Sequence, residues 1–229
     1  MELAAEPLTP TPDPPPRTPR DKERPDPGSA PLIMAFFLAA LAVLFLSAVV
    51  GYLIIRADRG EDWLPVGDEG LPAGLWASTA VLLLSSVTAQ LALNAARAGN
   101  AKRVQLTLAA TSALAAGFLV LQALNWWELA ELFTELGRPY VELSLAEQLQ
   151  LTQTHSHPAG YSYLAFFYFF TVLHALHLVG GLIPLGITTR RAFSGRYTPD
   201  SHRGVWLCTT YWHFLDAVWV CLFGLLLLG

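Results

Sequence analysis

Charged side chains are scarce in this sequence of 229 residues, since Asp, Glu, Lys and Arg together make up only 14% of it. A soluble domain of this size carries roughly 25% charged residues. Hydrophobic residues account for 53% of the chain, and its mean hydropathy is positive, at +0.42. A composition this poor in charge and this rich in apolar side chains indicates an integral membrane protein.

The sequence also lacks a surplus of basic residues. Its 14 Lys and Arg stand against 18 Asp and Glu, which gives a formal net charge of −4. Proteins that bind nucleic acids neutralise phosphates with clustered Lys and Arg, usually on a basic surface. The charge balance therefore excludes nucleic acid as an expected partner.

Cysteine is nearly absent, with Cys208 and Cys221 as its only two occurrences. Both lie in one apolar run, and at about 1.5 Å rise per helical residue they would stand about 20 Å apart. A disulfide needs Cα atoms within about 7 Å. The sequence therefore predicts no disulfide within that helix, and it contains no Cys-x-x-Cys pair typical of metal or redox sites.

What the sequence does contain is five long apolar runs. Runs without Asp, Glu, Lys or Arg cover 27–55, 70–96, 104–127 and 148–189, and Asp216 alone interrupts a fifth run over 204–229. A helix needs about 20 residues to cross the hydrocarbon core of a bilayer. We therefore predict an all-α membrane protein whose five transmembrane helices lie near 32–55, 72–94, 103–127, 160–187 and 204–228.

Residues 1–31 differ in kind from the rest of the chain. They hold ten of the 16 prolines, mixed charges and no aromatic residue. Such a segment buries too little apolar surface to offset the entropy of ordering it. We predict a disordered cytoplasmic tail over 1–31, followed by a transmembrane domain over 32–229. The tail does not follow the order of a secretory signal, so the first helix is expected to remain in the mature protein.

The distribution of basic residues predicts the orientation. Eleven Lys and Arg fall in the tail and in the two loops after the second and fourth helices, whereas the other side holds only Arg56, Arg59 and Arg138. The richer side faces the cytoplasm under the positive-inside rule. The N-terminus is therefore expected inside and the C-terminus outside. The long connection over 128–159 has helical spacing of leucines and is predicted to lie along the outer interface.

A few polar residues fall inside the predicted spans. Asp216 and His213 are three residues apart on the fifth helix, and His174 and His177 are three apart on the fourth, so each pair shares a helix face. An acid at bilayer depth costs several kcal/mol and needs a partner or a purpose. We expect the fourth and fifth helices to meet through these polar faces. For Asp216 a structural hydrogen bond and a proton-handling role both remain open. For the histidines a metal site and a haem site are alternatives to helix packing.

Two segments resemble the subunit III family of haem-copper oxidases. The stretch over 169–181 reads FFTVLHALHLVGG and resembles that family's Thr-x-x-His-x-x-His-x-x-x-Gly helix. The stretch over 211–219 reads YWHFLDAVW and is similar to its Tyr-Trp-His-Phe-x-Asp-x-x-Trp motif. Weaker likeness extends over about 32–228. Five predicted spans correspond to the short bacterial form of the family.

The resemblance implies an accessory subunit with no active site, metal or cofactor of its own. Haems and copper are expected in partner subunits. The chain is expected to pack beside subunit I, in a complex that also contains subunit II, and to bind phospholipid in a bacterial inner membrane. It implies a structural role, with a possible lipid or proton role, for the motif residues His174, His177, Trp212, His213 and Asp216. Arg191 matches a basic family position near a lipid phosphate, and Arg190 could equally occupy it.

The sequence departs from the family at three acidic positions. The family usually has a glutamate where Leu41 stands here, and often has others where Asn125 and Trp206 stand. These losses keep a rival interpretation open, a subunit-III-like protein of a nitric oxide reductase or quinol oxidase. A small membrane transporter is a further alternative, although the sequence shows no inverted repeat of the kind that marks many transporters.

Overall fold

The structure is a computed structural model that describes residues 29–59, 73–141, 144, 145, 147 and 161–228. The predicted disordered tail lies outside the described residues up to residue 28. The chain divides into two compact units at Phe37, and the packing described below concerns the unit from Leu38 to Gly229.

Five long helices make up nearly all of the described chain. They are α1 (Ser29–Arg59), α2 (Ala73–Arg97), α3 (Ala101–Val141), α4 (Tyr161–Phe193) and α5 (Arg203–Leu227). Each is long and apolar enough to cross a membrane. This confirms the prediction of an all-α protein with five transmembrane helices.

Helix α3 is longer than predicted. The sequence pattern placed its end near residue 127, but α3 has 41 residues and continues to Val141, a length of about 60 Å. Its membrane-compatible part ends at Glu131. The acids that begin at Glu128 end the apolar run, yet they favour helix, and no Gly or Pro occurs between Gly117 and Gly137. The apolar run therefore ends before the helix does.

A short turn joins α2 to α3. Gly99 has a φ of +71°, a left-handed conformation that glycine adopts without steric penalty. The amides of Gly99 and Asn100 donate to the carbonyls of Ala96 and Ala95 at 3.2 and 3.0 Å, which closes the end of α2 in a Schellman-like turn. The Asn100 side chain then accepts from the Arg103 amide at 3.0 Å and caps α3. The sequence Gly-Asn thus makes α2 and α3 an antiparallel hairpin.

Helix packing places α2 and α4 on α3, and α5 against both α2 and α4. Bulky aromatic and aliphatic side chains fill the interior, and its largest fully buried members include Trp212, Trp219, Tyr163, Phe118 and Phe167. Many other large apolar side chains are exposed, among them Trp127, Leu176 and Ile183. An exterior of this composition suits contact with lipid or with neighbouring apolar helices.

One local motif is visible in the connection after α3. The amide and hydroxyl of Ser144 donate to the Glu147 carboxylate at 2.9 and 2.5 Å. These hydrogen bonds hold the pKa of the exposed Glu147 carboxyl below its usual value. The spacing Ser-x-x-Glu is that of a capping box.

Candidate functional site at the interface of α2 and α5

The motif residues predicted from sequence lie on two helices. His174 and His177 are on α4, and Trp212, His213 and Asp216 are on α5. His174, Trp212 and Asp216 are buried, whereas His177 and His213 are half-buried. The five side chains thus differ in their exposure.

His213 binds two polar side chains of α2. Its Nδ1 lies 2.6 Å from the Ser86 hydroxyl, and its Nε2 lies 3.0 Å from Gln90 Oε1. Gln90 Nε2 in turn donates to Asn94 Oδ1 at 3.1 Å. Both nitrogens of this imidazole are thus occupied by α2.

The two buried indoles of α5 also bind α2. Trp212 Nε1 donates to Ser85 Oγ at 2.8 Å, and Trp219 Nε1 donates to Thr79 Oγ1 at 3.0 Å. Each hydroxyl donates at the same time to a carbonyl of its own helix, Ser85 to Leu82 and Thr79 to Leu75. A hydroxyl can donate one hydrogen bond and accept two, so these short side chains satisfy both helices. We call this set, with His213, Ser86 and Gln90, the α2–α5 polar interface.

The polar contacts of α5 therefore differ from the expectation that α4 and α5 would meet through the polar faces that carry their histidines. The structure places the partners of His213 on α2. Helices α4 and α5 do pack, with Gly181 against the Tyr211 ring. Two tyrosine hydroxyls also donate to carbonyls of the other helix, Tyr211 to His177 at 2.9 Å and Tyr163 to Leu226 at 2.6 Å. The Ser and Thr residues of α2 were the missed signal, because a buried indole or imidazole in a membrane needs a polar partner on a neighbouring helix.

The two histidines of α4 have different surroundings. His177 Nδ1 lies 2.7 Å from the Leu173 carbonyl of its own helix. His174 is fully buried, and among the described residues neither of its nitrogens has a hydrogen-bond partner. Its ring lies among Phe45, Phe118 and Trp219, with centroids 6.5, 6.0 and 5.0 Å away. His174 thus occupies an aromatic setting, unlike His213.

Asp216 is 4% exposed, in the middle of α5. Neither of its carboxyl oxygens makes a hydrogen bond of standard geometry with any residue in the described ranges. The Ser86 hydroxyl of α2 is the polar group that lies beside this carboxyl. Asp216 and His213 share a helix face, as expected, but the structure shows no hydrogen bond between them within the described residues.

Other polar side chains of the spans are buried without partners. Among the described residues, both amide atoms of Gln122 and Nδ2 of Asn125 have none. A side chain at Gly74 would collide with Asn125, so α2 and α3 approach closely there. Leu41 is buried and Trp206 half-buried. All three positions where the family has glutamates are therefore at least partly inside the helix packing.

Metal-ligating side chains do not gather in the part of the chain that the structure describes. No group of three or more His, Cys, Asp or Glu side chains able to hold a metal ion occurs there. His155 and His157 lie outside the described residues, and His202 Nδ1 lies 2.5 Å from the Pro199 carbonyl. The histidines of the described spans are thus distributed among separate neighbours.

Two surface features lie at opposite ends of α4. Arg190 and Arg191 are exposed in its last turn. At the other end, an open groove is lined by Ala130 and Thr134 of α3 and by Ala165 and Tyr168 of α4. The arginines offer charge to an anionic group, and the groove offers an apolar surface.

Known proteins share these sequence features. The sequence model of the family described as cytochrome c oxidase subunit III matches residues 140–228, which include both motif segments. A probable cytochrome c oxidase subunit 3 of Nocardia farcinica is 26% identical over 188 residues, 82% of each chain. Cytochrome c oxidase subunit 3 of Synechocystis is 29% identical over 197 residues, 85% of this chain and 73% of that protein. The Yarrowia lipolytica subunit is 30% identical over 193 residues, 82% of this chain but only 60% of its own length.

An all-α fold of five spans, with polar motifs on α4 and α5, defines the class as a multi-pass membrane protein. The chain belongs to the subunit III family of haem-copper oxidases. It is thus a component of an oxidase complex that contains other subunits.

Proposed function

We propose that this chain is a cofactor-free accessory subunit of a cytochrome c oxidase, which packs beside subunit I in a complex that also contains subunit II, and stabilises the catalytic subunit. The observation that carries this proposal is that the family motif on α5 makes hydrogen bonds to another helix of the same chain. Three side chains of that motif form hydrogen bonds to α2: Trp212, His213 and Trp219. The motif therefore builds the helix bundle itself, which is what a structural subunit requires.

The histidines support the same proposal. A haem or copper site needs imidazoles that project into one cavity. His213 is engaged by Ser86 and Gln90, and His177 by the carbonyl of Leu173. His174 lies apart from both, beside the rings of Phe118 and Trp219. Three imidazoles with separate surroundings fit a partner of the redox subunits.

Phospholipid is part of the proposal. Arg190 and Arg191 are exposed at the end of α4, where guanidinium groups pair well with phosphate oxygens. The groove beside Tyr168 is open and apolar, as an acyl chain requires. Lipid at these two places would cover surface that the bundle leaves open.

The membrane and the orientation are proposed from charge. The two loops with Gly99 and Gly195 carry seven Lys and Arg, and the preceding tail carries four. We place these on the cytoplasmic side of a bacterial inner membrane, with the C-terminus on the periplasmic side.

Co-purification tests the proposed partner. The tagged full chain, extracted in mild detergent from its native membrane, should bring with it haem and copper in subunits larger than itself. A truncated chain lacking α5 is the control for nonspecific capture. Haem b without copper would instead favour a nitric oxide reductase, and a chain that elutes with no cofactor-bearing protein would contradict the proposal.

A further inference from the structure

Five polar side chains form a row along α2 and α5. Hydrogen bonds link Ser86, His213, Gln90 and the exposed Asn94 near the end of α2, and the buried Asp216 carboxyl lies beside Ser86 at the other end of the row without a hydrogen bond of standard geometry to any described residue. Ser86, Gln90 and Asn94 are four residues apart, so each step along α2 is about 6 Å. A polar row of this length in an apolar span calls for an explanation beyond packing.

The hydrogen bonds in the row have a fixed direction. Gln90 uses its amide nitrogen on Asn94 and presents Oε1 to His213. Because an amide oxygen can only accept, His213 Nε2 must carry a proton and donate it. The other nitrogen of a neutral imidazole is an acceptor, so the Ser86 hydroxyl donates to His213 Nδ1 across 2.6 Å.

This direction determines what Ser86 can offer to Asp216. A serine hydroxyl has a single proton, and here it is directed at His213. Toward Asp216 the oxygen can only accept, so a carboxyl that bonds to it must carry a proton of its own. No other Asp, Glu, Lys or Arg occurs between Gly204 and Gly229, and Arg203 at the start of α5 lies 13 residues away, about 20 Å along the helix, so no charge on α5 is close enough to compensate an ionised Asp216.

We propose that Asp216, Ser86 and His213 form an internal proton-exchange site, in which the serine hydroxyl relays one proton between the carboxyl and the imidazole. In the resting form Asp216 is a neutral acid and His213 is neutral with its proton on Nε2. A small movement of the Asp216 carboxyl completes its bond to the Ser86 oxygen.

The exchange step leaves the total charge unchanged. The O–H bond of the Asp216 carboxyl breaks and its proton passes to Ser86 Oγ, while the original Ser86 proton passes to His213 Nδ1. The products are an Asp216 carboxylate, a Ser86 hydroxyl that donates to it, and a His213 imidazolium that donates to both Ser86 and Gln90. Every donor then still has an acceptor, which limits the free energy of separating the charges in a buried site.

The site lies within this chain alone and does not depend on which oxidase the chain joins. Gln90 and Asn94 connect its imidazole to the exposed end of α2, next to Arg97. A charge that forms on His213 is therefore formed on the side of the site that leads toward the aqueous boundary. The site thus has one end that connects to the aqueous boundary, which an isolated buried acid would lack.

Infrared spectroscopy of the full chain tests the protonated acid. The spectrum of the wild type should contain a carboxylic C=O band that is lost in Asp216→Asn. In Ser86→Ala the same band should move to higher frequency, because the carboxyl loses its acceptor. Ser86→Thr keeps the hydroxyl and should leave the band where the wild type has it. If no band is lost in Asp216→Asn, or if Ser86→Ala does not move it, the proposal is wrong.

Nitrogen NMR of labelled histidine tests the exchange itself, with His213→Gln used to assign the signal. In alkaline buffer the wild type should show His213 protonated at Nε2 together with a minor imidazolium form. The imidazolium should disappear in Asp216→Asn and in Ser86→Ala but persist in Ser86→Thr. A purely structural network would show no imidazolium in the wild type, or the same amount of it in all four proteins, and either result would overturn the proposal, as would a proton on Nδ1 with Nε2 bare.

Discussion

At the residue scale, two histidines of this protein differ in their hydrogen bonding. The imidazole of His213 has a partner on each nitrogen, and that of His174 has none among the described residues. A buried polar group without a partner costs about 1–3 kcal/mol, whereas a satisfied one makes a small net contribution. Substituting the two histidines should therefore have opposite consequences for stability.

His213→Leu should destabilise the chain by about 1–2 kcal/mol, because it leaves Ser86 and Gln90 without partners inside the membrane. His174→Leu is the matched control, since it replaces an unbonded imidazole among aromatic rings by an apolar side chain. We expect it to be neutral or stabilising. The free energy of unfolding of both variants, measured by denaturant titration in detergent micelles, checks the prediction. Equal destabilisation would mean that His174 has a partner beyond the described residues.

The buried amides obey the same reasoning. Gln122 is fully buried, and neither of its amide atoms has a partner in the described ranges. Gln122→Met keeps the length of the side chain and removes the unpaired groups. The variant should be at least as stable as the wild type in the same titration. A loss above about 1 kcal/mol would show that the amide is satisfied in the membrane.

At the element scale, neighbouring glycines of α4 have different roles. A Cβ at Gly181 would lie 2.6 Å from the Tyr211 ring, whereas a Cβ at Gly180 would have nothing within 4 Å. Helix α5 approaches α4 over Gly181, and the Tyr211 hydroxyl bonds to the His177 carbonyl one turn away. The close approach at Gly181 thus allows both contacts between the helices.

Gly181→Ala should therefore push α5 away and destabilise the protein by about 1–3 kcal/mol, the usual range for overpacking. Gly180→Ala should be neutral or stabilise it by up to about 1 kcal/mol, because alanine is the better helix former. Thermal unfolding in detergent distinguishes the two. If both variants behave alike, the α4–α5 contact does not depend on Gly181.

At the scale of the whole molecule, the loops of one membrane side meet. A Cβ at Gly99, in the turn after α2, would lie 3.1 Å from Pro199 in the loop after α4. Between them these loops carry Arg97, Lys102, Arg103 and four further arginines. The structure thus places at one end of the bundle seven of the eleven basic residues on which the proposed orientation rests.

Reporter fusions at Gly99 and Gly195 should both report the cytoplasm, and a fusion at Gly137 should report the opposite side. The pair at Gly99 and Gly195 is an internal control, because the two loops lie at the same end of the bundle. Agreement of Gly137 with them would mean that α3 does not cross the membrane. The reverse pattern at all three sites would leave the fold intact but invert the orientation.

The sequence alone determined the number and character of the helices. The length of a charge-free run is a local property of the sequence, and it decides whether the run can cross a bilayer as a helix. The motif residues on α4 and α5 were equally visible, and they carried the resemblance to the family. The end of α3 was placed too early, since acids end an apolar run without ending a helix.

Only the tertiary structure decided which helices share polar contacts. Periodicity shows that His213 and Asp216 lie on one face of α5, but it does not say which neighbour that face meets. The partners turned out to be Ser86 and Gln90 of α2. Their spacing of four residues puts them on one face of α2, but it does not say that this face meets α5. Likewise, no local pattern could separate the satisfied His213 from the unbonded His174, because hydrogen bonding between distant segments depends on the packing of the whole bundle.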